Sequence, residues 1–245
     1  MQKNAIVAQQ LYYSRYGKVM VRNGNLVVPE QEIYVLVGPD GCGKTSLVHL
    51  LSGMEKPQRG ILALFGNPEP SMQEYRKIGT IFEKGGFYDT MSAKANLKMK
   101  ALAFGNYKKE LIQAALRITG LEKIARKRIK SYSNAEKVKL ALAMAIIGSP
   151  KMLLVDEVLD GLSKEEKNDI LRILKGFQKK YKMTILITSR EMDSVQGIAT
   201  WYGIMEKGSV ISQFPAQELG NNQEEAEIPE EIQKAKKMKK RGKRL

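Results

Sequence analysis

Gly38-Pro39-Asp40-Gly41-Cys42-Gly43-Lys44-Thr45-Ser46 reads as a glycine, four residues, a second glycine, then lysine and threonine, the spacing of a phosphate-binding loop. An apolar run from Glu32 to Val37 enters it, and Thr45 to Leu51 leaves it with helical character, so the local order is strand, glycine-rich turn, helix. The glycines let the backbone curl until successive N–H groups face phosphate oxygens, and the start of the helix adds its positive dipole end. Lys44 is then placed to reach the β and γ phosphates, and the Thr45 hydroxyl to hold Mg²⁺.

Working outward, short β-rich runs occur at Ile78–Phe82, Met152–Val155, Thr184–Ile187 and Trp201–Ile204. Helical patterns at Ala135–Ile147 and Lys164–Lys180 separate several of them. Strands alternating with helices predict an α/β fold with a mainly parallel sheet. Ser92 to Lys130 contains no strand-like run and reads as two helices, NLKMKALAFG and YKKELIQAALRITG, followed by a basic segment. It is expected to be an inserted helical subdomain over about 90–148, within one domain spanning 1–220.

The composition narrows the class. The chain has 245 residues, 43% of them hydrophobic, enough to bury a substantial core. Its longest apolar run, Leu140 to Ile147, is less than half the roughly 20 residues that span a bilayer. The N-terminus MQKNAIVAQQ lacks signal-peptide features, and a single cysteine cannot form an internal disulfide. A cytoplasmic location is expected. Of 41 Lys and Arg against 26 Asp and Glu, eight fall in the last 13 residues, QKAKKMKKRGKRL, which hold no acid. Residues 221–245 are expected to form a flexible charged tail. Its basic part is either a solvated extension or a contact for anionic lipid, and the absence of interleaved aromatics argues against specific nucleic-acid binding.

A second chemical signal lies far downstream. Met152-Leu153-Leu154-Val155-Asp156-Glu157 is an apolar strand ending in two carboxylates. In phosphate-loop NTPases an Asp at such a strand end supports Mg²⁺, and a neighbouring carboxylate can polarise the attacking water.

With both motifs in place, the sequence resembles the ATP-binding subunit of ABC transporters over about residues 3 to 215. GPDGCGKTS stands as the Walker A loop and LLVDE as Walker B. RYGK at 15–18 is similar to the segment whose aromatic, here Tyr16, stacks on adenine. IGTIFEKGGFYDTMSAKANL at 78–97 resembles the Q-loop region, especially of the branch that exports antimicrobial peptides, lantibiotics and drugs. SYSNAEKVKLALAMAII at 131–147 lies where the LSGGQ signature belongs, DGLS at 160–163 where the D-loop belongs, and TILITSR ends at the switch-histidine position. The resemblance implies a P-loop NTPase of ABC type, with an antiparallel N-terminal β subdomain beside the parallel sheet.

Several positions depart from the family pattern. Glu83 stands where Gln is usual, able to bind Mg²⁺ but unable to donate a hydrogen bond when ionised. It is read as catalytic and metal-binding, or as a solvated loop acid. In the signature Ser133 survives, while Asn134 and Ala135 replace both glycines, and Ala135 is expected to push a Cβ toward the phosphate. Ser133 is either a phosphate ligand or a helix N-cap whose capping box Glu136 completes. Arg190 replaces the switch histidine, able to meet phosphate but not to relay a proton near pH 7; the other reading is a surface arginine opening a helix with Glu191. Ser163 and Val158 replace the usual Asp and Pro. His49, the one histidine, is expected to be structural.

These residues point to an ATPase subunit that drives export by a separate polytopic membrane permease, lying at the inner face of the cell membrane. Gly38, Pro39, Asp40, Gly41, Cys42, Gly43, Lys44, Thr45 and Ser46 cradle the nucleotide, with Tyr16 and Ser133. Thr45, Asp156 and Glu83 meet Mg²⁺, and Glu157 is the base with Arg190 and Glu83 beside it. Slow turnover is expected, with a heteromeric second nucleotide-binding subunit favoured over a homodimer. Two other classes remain open: a degenerate ATP-binding regulatory partner whose output is dimerisation, and a soluble ABC ATPase acting on nucleic acid or in cofactor assembly.

Overall fold

A computed structural model describes residues 3–82, 85–105, 107–192, 195 and 197–219. Glu83 and the 221–245 tail therefore lie outside the described residues.

The chain opens with two long strands, β1 (Asn4–Arg15) and β2 (Lys18–Pro29), paired antiparallel through a tight turn at Tyr16 and Gly17. Both turn residues have positive φ, 50° and 73°, as primed hairpin turns require. β4 (Arg59–Leu64) pairs antiparallel with the other edge of β1, completing a three-stranded sheet in the order β2-β1-β4. The sequence pattern marks none of these three strands individually.

The larger sheet has six strands in the order β5-β6-β7-β3-β8-β9. β5 (Ile78–Phe82), β6 (Met152–Asp156), β7 (Thr184–Ser189), β3 (Ile33–Val37) and β8 (Trp201–Glu206) are parallel, and only β9 (Ser209–Pro215) runs antiparallel on the edge. Every residue of β3, β6 and β7 is buried, which explains their unbroken apolar runs: a parallel sheet covered on both faces has no polar side to alternate with.

Between the sheets lies α1 (Lys44–Leu51), whose Leu47, Val48, Leu50 and Leu51 pack with Ile6, Leu11 and Leu26 from one sheet and Leu36, Leu154 and Leu186 from the other. On the opposite face α5 (Asn134–Ile146) and α6 (Lys164–Tyr181) cover the large sheet through Leu142, Ile170, Leu174 and Phe177. α3 (Ala93–Ala103), α4 (Lys109–Ile118) and the inner side of α5 enclose a third apolar cluster around Leu97, Ile112, Leu116 and Leu140. The short α2 (Met72–Tyr75) begins with a capping box between Ser71 and Glu74. No helix among the described residues is long and apolar enough to cross a membrane.

Candidate nucleotide-binding site

In parallel α/β sheets, ligands collect at the carboxyl ends of the strands. The quoted motifs converge there: the glycine-rich loop after β3, Asp156 and Glu157 at the end of β6, and Arg190 just past β7. β7 separates β3 from β6.

The loop is held from behind. Gly43 has φ 110°, and a Cβ there would run into the Met20 carbonyl oxygen of β2, while a Cβ at Gly38 would meet the Met205 carbonyl of β8. Gly208, in the β8–β9 turn, donates its N–H to the Cys42 carbonyl at 2.7 Å and accepts the Arg22 N–H at 2.8 Å. The curled loop is thereby pinned to both sheets.

Lys44 is only 2% exposed, yet its ammonium is fully engaged. Nζ donates to the carbonyls of Gly38 at 2.8 Å and Pro39 at 3.0 Å, and forms an ion pair with Glu157 Oε1 at 2.9 Å. A buried ammonium without such partners would be very costly. Thr45, next in sequence, is exposed. Asp156 is 4% exposed, and burial raises its pKa, against which hydrogen bonds from Thr188 and Thr45 pull downward.

Thr188 is a residue the sequence reading missed. Its hydroxyl donates to Asp156 Oδ1 at 2.7 Å and accepts the Glu157 N–H at 3.0 Å, fixing both carboxylate residues at once. The second bond supports Glu157 at a positive φ of 51°, an uncommon conformation for a residue with a side chain. The hydroxyl residues Thr188 and Ser189 that close the run TILITS were the available signal.

Arg190 lies in a bend, not at the start of a helix. Its Nε sits 2.9 Å from Asp160 Oδ2 and 3.1 Å from Asp40 Oδ1, and these two carboxylates raise its pKa. The guanidinium therefore bridges the glycine-rich loop to the turn after Glu157. Ser133 is the N-cap of α5: its hydroxyl accepts the Glu136 N–H at 3.2 Å, and the Glu136 carboxylate accepts the Ser133 N–H at 2.8 Å. The Ala135 expectation is corrected. Its methyl is buried with Leu142 and Val158 in the core instead of facing outward, because position 135 belongs to the core face of the helix. Ser163 likewise caps α6 together with Glu166.

Tyr16, at the tip of the β1–β2 turn, is 93% exposed, with the Arg15 guanidinium 5.2 Å from its ring centre. It presents an exposed aromatic ring in the turn that leads into β2, the strand that supplies Met20 behind Gly43. Asp40 and Gly41 are exposed, whereas Cys42 is buried and its thiol pKa is pushed up by that burial. Pro39 and Ser46 complete the loop, the former accepting the Cys42 N–H at 3.3 Å. His49 packs edge-on against Phe82, with ring centres 5.3 Å apart.

The residues fit Mg²⁺ with a nucleoside triphosphate. Glycines with no room for a side chain, a buried lysine whose counter-ion is the Glu157 carboxylate, and one Asp beside one Thr suit a metal that takes few protein ligands and completes its shell with phosphate and water. No cluster of three or more His, Cys, Asp or Glu side chains that could hold a metal exists among the described residues.

Fold and site together define a P-loop nucleotide-binding domain. A profile of the ABC transporter family matches residues 21–160. The chain is 32% identical over 215 residues to the lantibiotic transport ATP-binding protein SrtF of Streptococcus pyogenes, covering 85% of this chain and 93% of that protein. It is 33% identical to the bacitracin transport ATP-binding protein BcrA of Enterococcus faecalis, covering 84% of this chain and 68% of BcrA. The fold matches cbiO1 from Clostridium perfringens, part of the ABC transporter complex cbiONQ, with a TM-score of 0.81 at 24% identity, over 91% of this chain and 93% of that one. The chain belongs to the ABC transporter family, as an ATP-binding subunit.

Proposed function

We propose that this chain binds and hydrolyses ATP, at low turnover, to power export through a separate polytopic membrane permease, working at the cytoplasmic face of the membrane. The observation that carries the reading is the buried Lys44 with Glu157 as its counter-ion at 2.9 Å, next to the Asp156–Thr45 pair. An incoming γ-phosphate would take over Lys44 and release the Glu157 carboxylate to act as base toward a water. Bound Mg²⁺ would neutralise phosphate charge beside Thr45 and Asp156, with Glu83 as a further ligand and catalytic side chain. Gly38 to Ser46 would wrap the phosphates, and Tyr16 would stack on the adenine. The similarity to SrtF and BcrA, named for lantibiotic and bacitracin transport, supports a peptide-exporter role. Within this reading residues 1–220 form the ATPase domain, with the helical insertion at about 90–148, and the basic 233–245 part of the tail reaches anionic lipid. No specific nucleic acid is bound.

ATP would close two subunits head to tail, Ser133 of one meeting the phosphate held by the other, preferably with a different protein as partner. The alternative, a regulatory partner with little hydrolysis, is favoured by one arrangement: Arg190 is committed to Asp40 and Asp160, and the Ser133 hydroxyl to a cap. In this protein Arg190 would then position the loop rather than touch phosphate. Steady-state phosphate release by the chain, alone and with its co-purified permease, tests both readings against a variant carrying Asn134→Gly and Arg190→His. Raised turnover identifies the departures as rate-limiting. Mg-ATP binding with no phosphate release from chain or complex would establish the regulatory reading, and absence of binding would refute both.

A further inference from the structure

The charge of the described domain is concentrated in one place. Residues 93–133 carry eleven Lys or Arg and two Glu, whereas the other residues before 233 hold 22 basic and 24 acidic groups. The helical subdomain is thus a strongly positive body attached to a nearly neutral one. Such a one-signed surface creates a field over the whole face, where interspersed charges would cancel it.

Within it, α3, α4 and the turn at Glu122–Ile124 form a cleft of about 470 Å³. Its floor is apolar, from Ile112, Leu116 and Ala125. Lys94, Lys98, Lys109, Lys123 and Arg126 stand around it, and none has an ion-pair partner among the described residues. The one acid in the lining, Glu122, is already paired with Arg117 at 3.4 Å. Lys98 lies 5.6 Å from the ring centre of Tyr107. Leu102, one turn beyond Lys98 on the same helix face, is 55% exposed, and Tyr107 is 46% exposed.

We propose that this face of the helical subdomain is a docking surface for an anionic membrane leaflet, with lipid phosphates held in the Lys94–Lys98–Lys109–Lys123–Arg126 cleft and Leu102 and Tyr107 entering the interface. Unpaired cations matched to lipid phosphate, beside exposed apolar and aromatic side chains, are what an interfacial contact needs. Nucleic acid would satisfy the cations and could stack on Tyr107, but offers nothing to Leu102. The cleft shares no residue with the nucleotide site, so the contact is separable from ATP binding. Nor does it include any residue of the basic C-terminal tail.

The test uses the full-length chain with the tail's Lys and Arg replaced by glutamine, sedimented with phosphatidylglycerol vesicles, with phosphatidylcholine vesicles, and titrated with a short random-sequence DNA duplex. Binding to phosphatidylglycerol alone is expected, weakening as salt rises. Lys98→Glu with Lys109→Glu and Lys123→Glu should lower it by about 100-fold or more while leaving Mg-ATP binding intact. Leu102→Ser with Tyr107→Ser should also weaken vesicle binding without changing the duplex titration. Should the Glu variant fail to bind Mg-ATP, Gln at the same three positions provides the reading. The proposal is overturned if the tail-neutralised chain binds both vesicle types equally, if the three-lysine variant binds as well as its parent, or if the duplex is bound and phosphatidylglycerol is not.

Discussion

Replacing Glu157 by glutamine separates two roles that the structure gives one carboxylate. Without nucleotide, Glu157 is the one anion on Lys44 among the described residues, at 2.9 Å, and the ammonium also donates to two carbonyls. Glutamine can still accept a hydrogen bond there but brings no charge, so the loss is that of one charge-assisted contact, about 2 kcal/mol. At about 2 to 4 °C per kcal/mol for a domain of this size, the nucleotide-free melting temperature should fall by about 4 to 8 °C. ATP binding should change in the opposite sense. The γ-phosphate must displace Glu157 from Lys44, and removing the competing anion strengthens Mg-ATP binding by about 1 to 2 kcal/mol, about 5- to 30-fold. Hydrolysis should drop by about 100-fold or more, since an amide cannot take the proton from water. Differential scanning fluorimetry with and without Mg-ATP, isothermal titration and a phosphate-release assay read all three effects. Weaker ATP binding with an unchanged melting temperature would refute the counter-ion argument, and unchanged turnover would remove Glu157 from the base role.

Lys44→Ala should abolish measurable Mg-ATP binding in the same titration, because it removes the buried ammonium that the loop carbonyls and Glu157 hold in place. Thr188→Val keeps the shape of the side chain but leaves the Glu157 N–H and Asp156 Oδ1 each short of a partner; an equilibrium denaturation should show about 2 to 3 kcal/mol lost. It should also shift the pH at which Mg-ATP begins to stabilise the protein upward, since Thr188 opposes the burial that raises the Asp156 pKa. At Glu74 the backbone N–H and hydroxyl of Ser71 hold the carboxyl down to about 2 from its ordinary 4.5. The folded value lies below the unfolded one, so this stabilisation is complete above 4.5 and is lost as pH falls toward 2. Glu74→Gln should flatten that acid limb of a stability profile while leaving Mg-ATP binding at neutral pH unaltered.

The nucleotide loop was legible because glycine spacing and the flanking strand and helix are local properties. The same holds for β6, whose apolar run ends in two acids. The β1–β2 hairpin escaped because its pairing is irregular, with register shifts at several points between Asn4 and Arg15 that break the two-residue alternation. The role of Arg190 escaped for another reason: Asp40 and Asp160 reach it from two other loops, a meeting that only tertiary structure creates. Ala135 was misplaced by reading its position from the signature alone, although its three- and seven-residue spacing to Val138 and Leu142 marks a core-facing stripe.

The single cysteine has a use beyond its place in the loop. Cys42 is 5% exposed, its carbonyl is tied to Gly208, and its sulfur lies against the space above Gly38, so a thiol reagent has no path to it while the loop is closed. Alkylation must wait for local opening, and its rate then measures the fraction of time the loop spends open. With no second thiol in the chain to confuse the signal, the native protein carries its own chemical clock for nucleotide-loop motion. Ligands that close the loop should slow that clock without any label having been introduced.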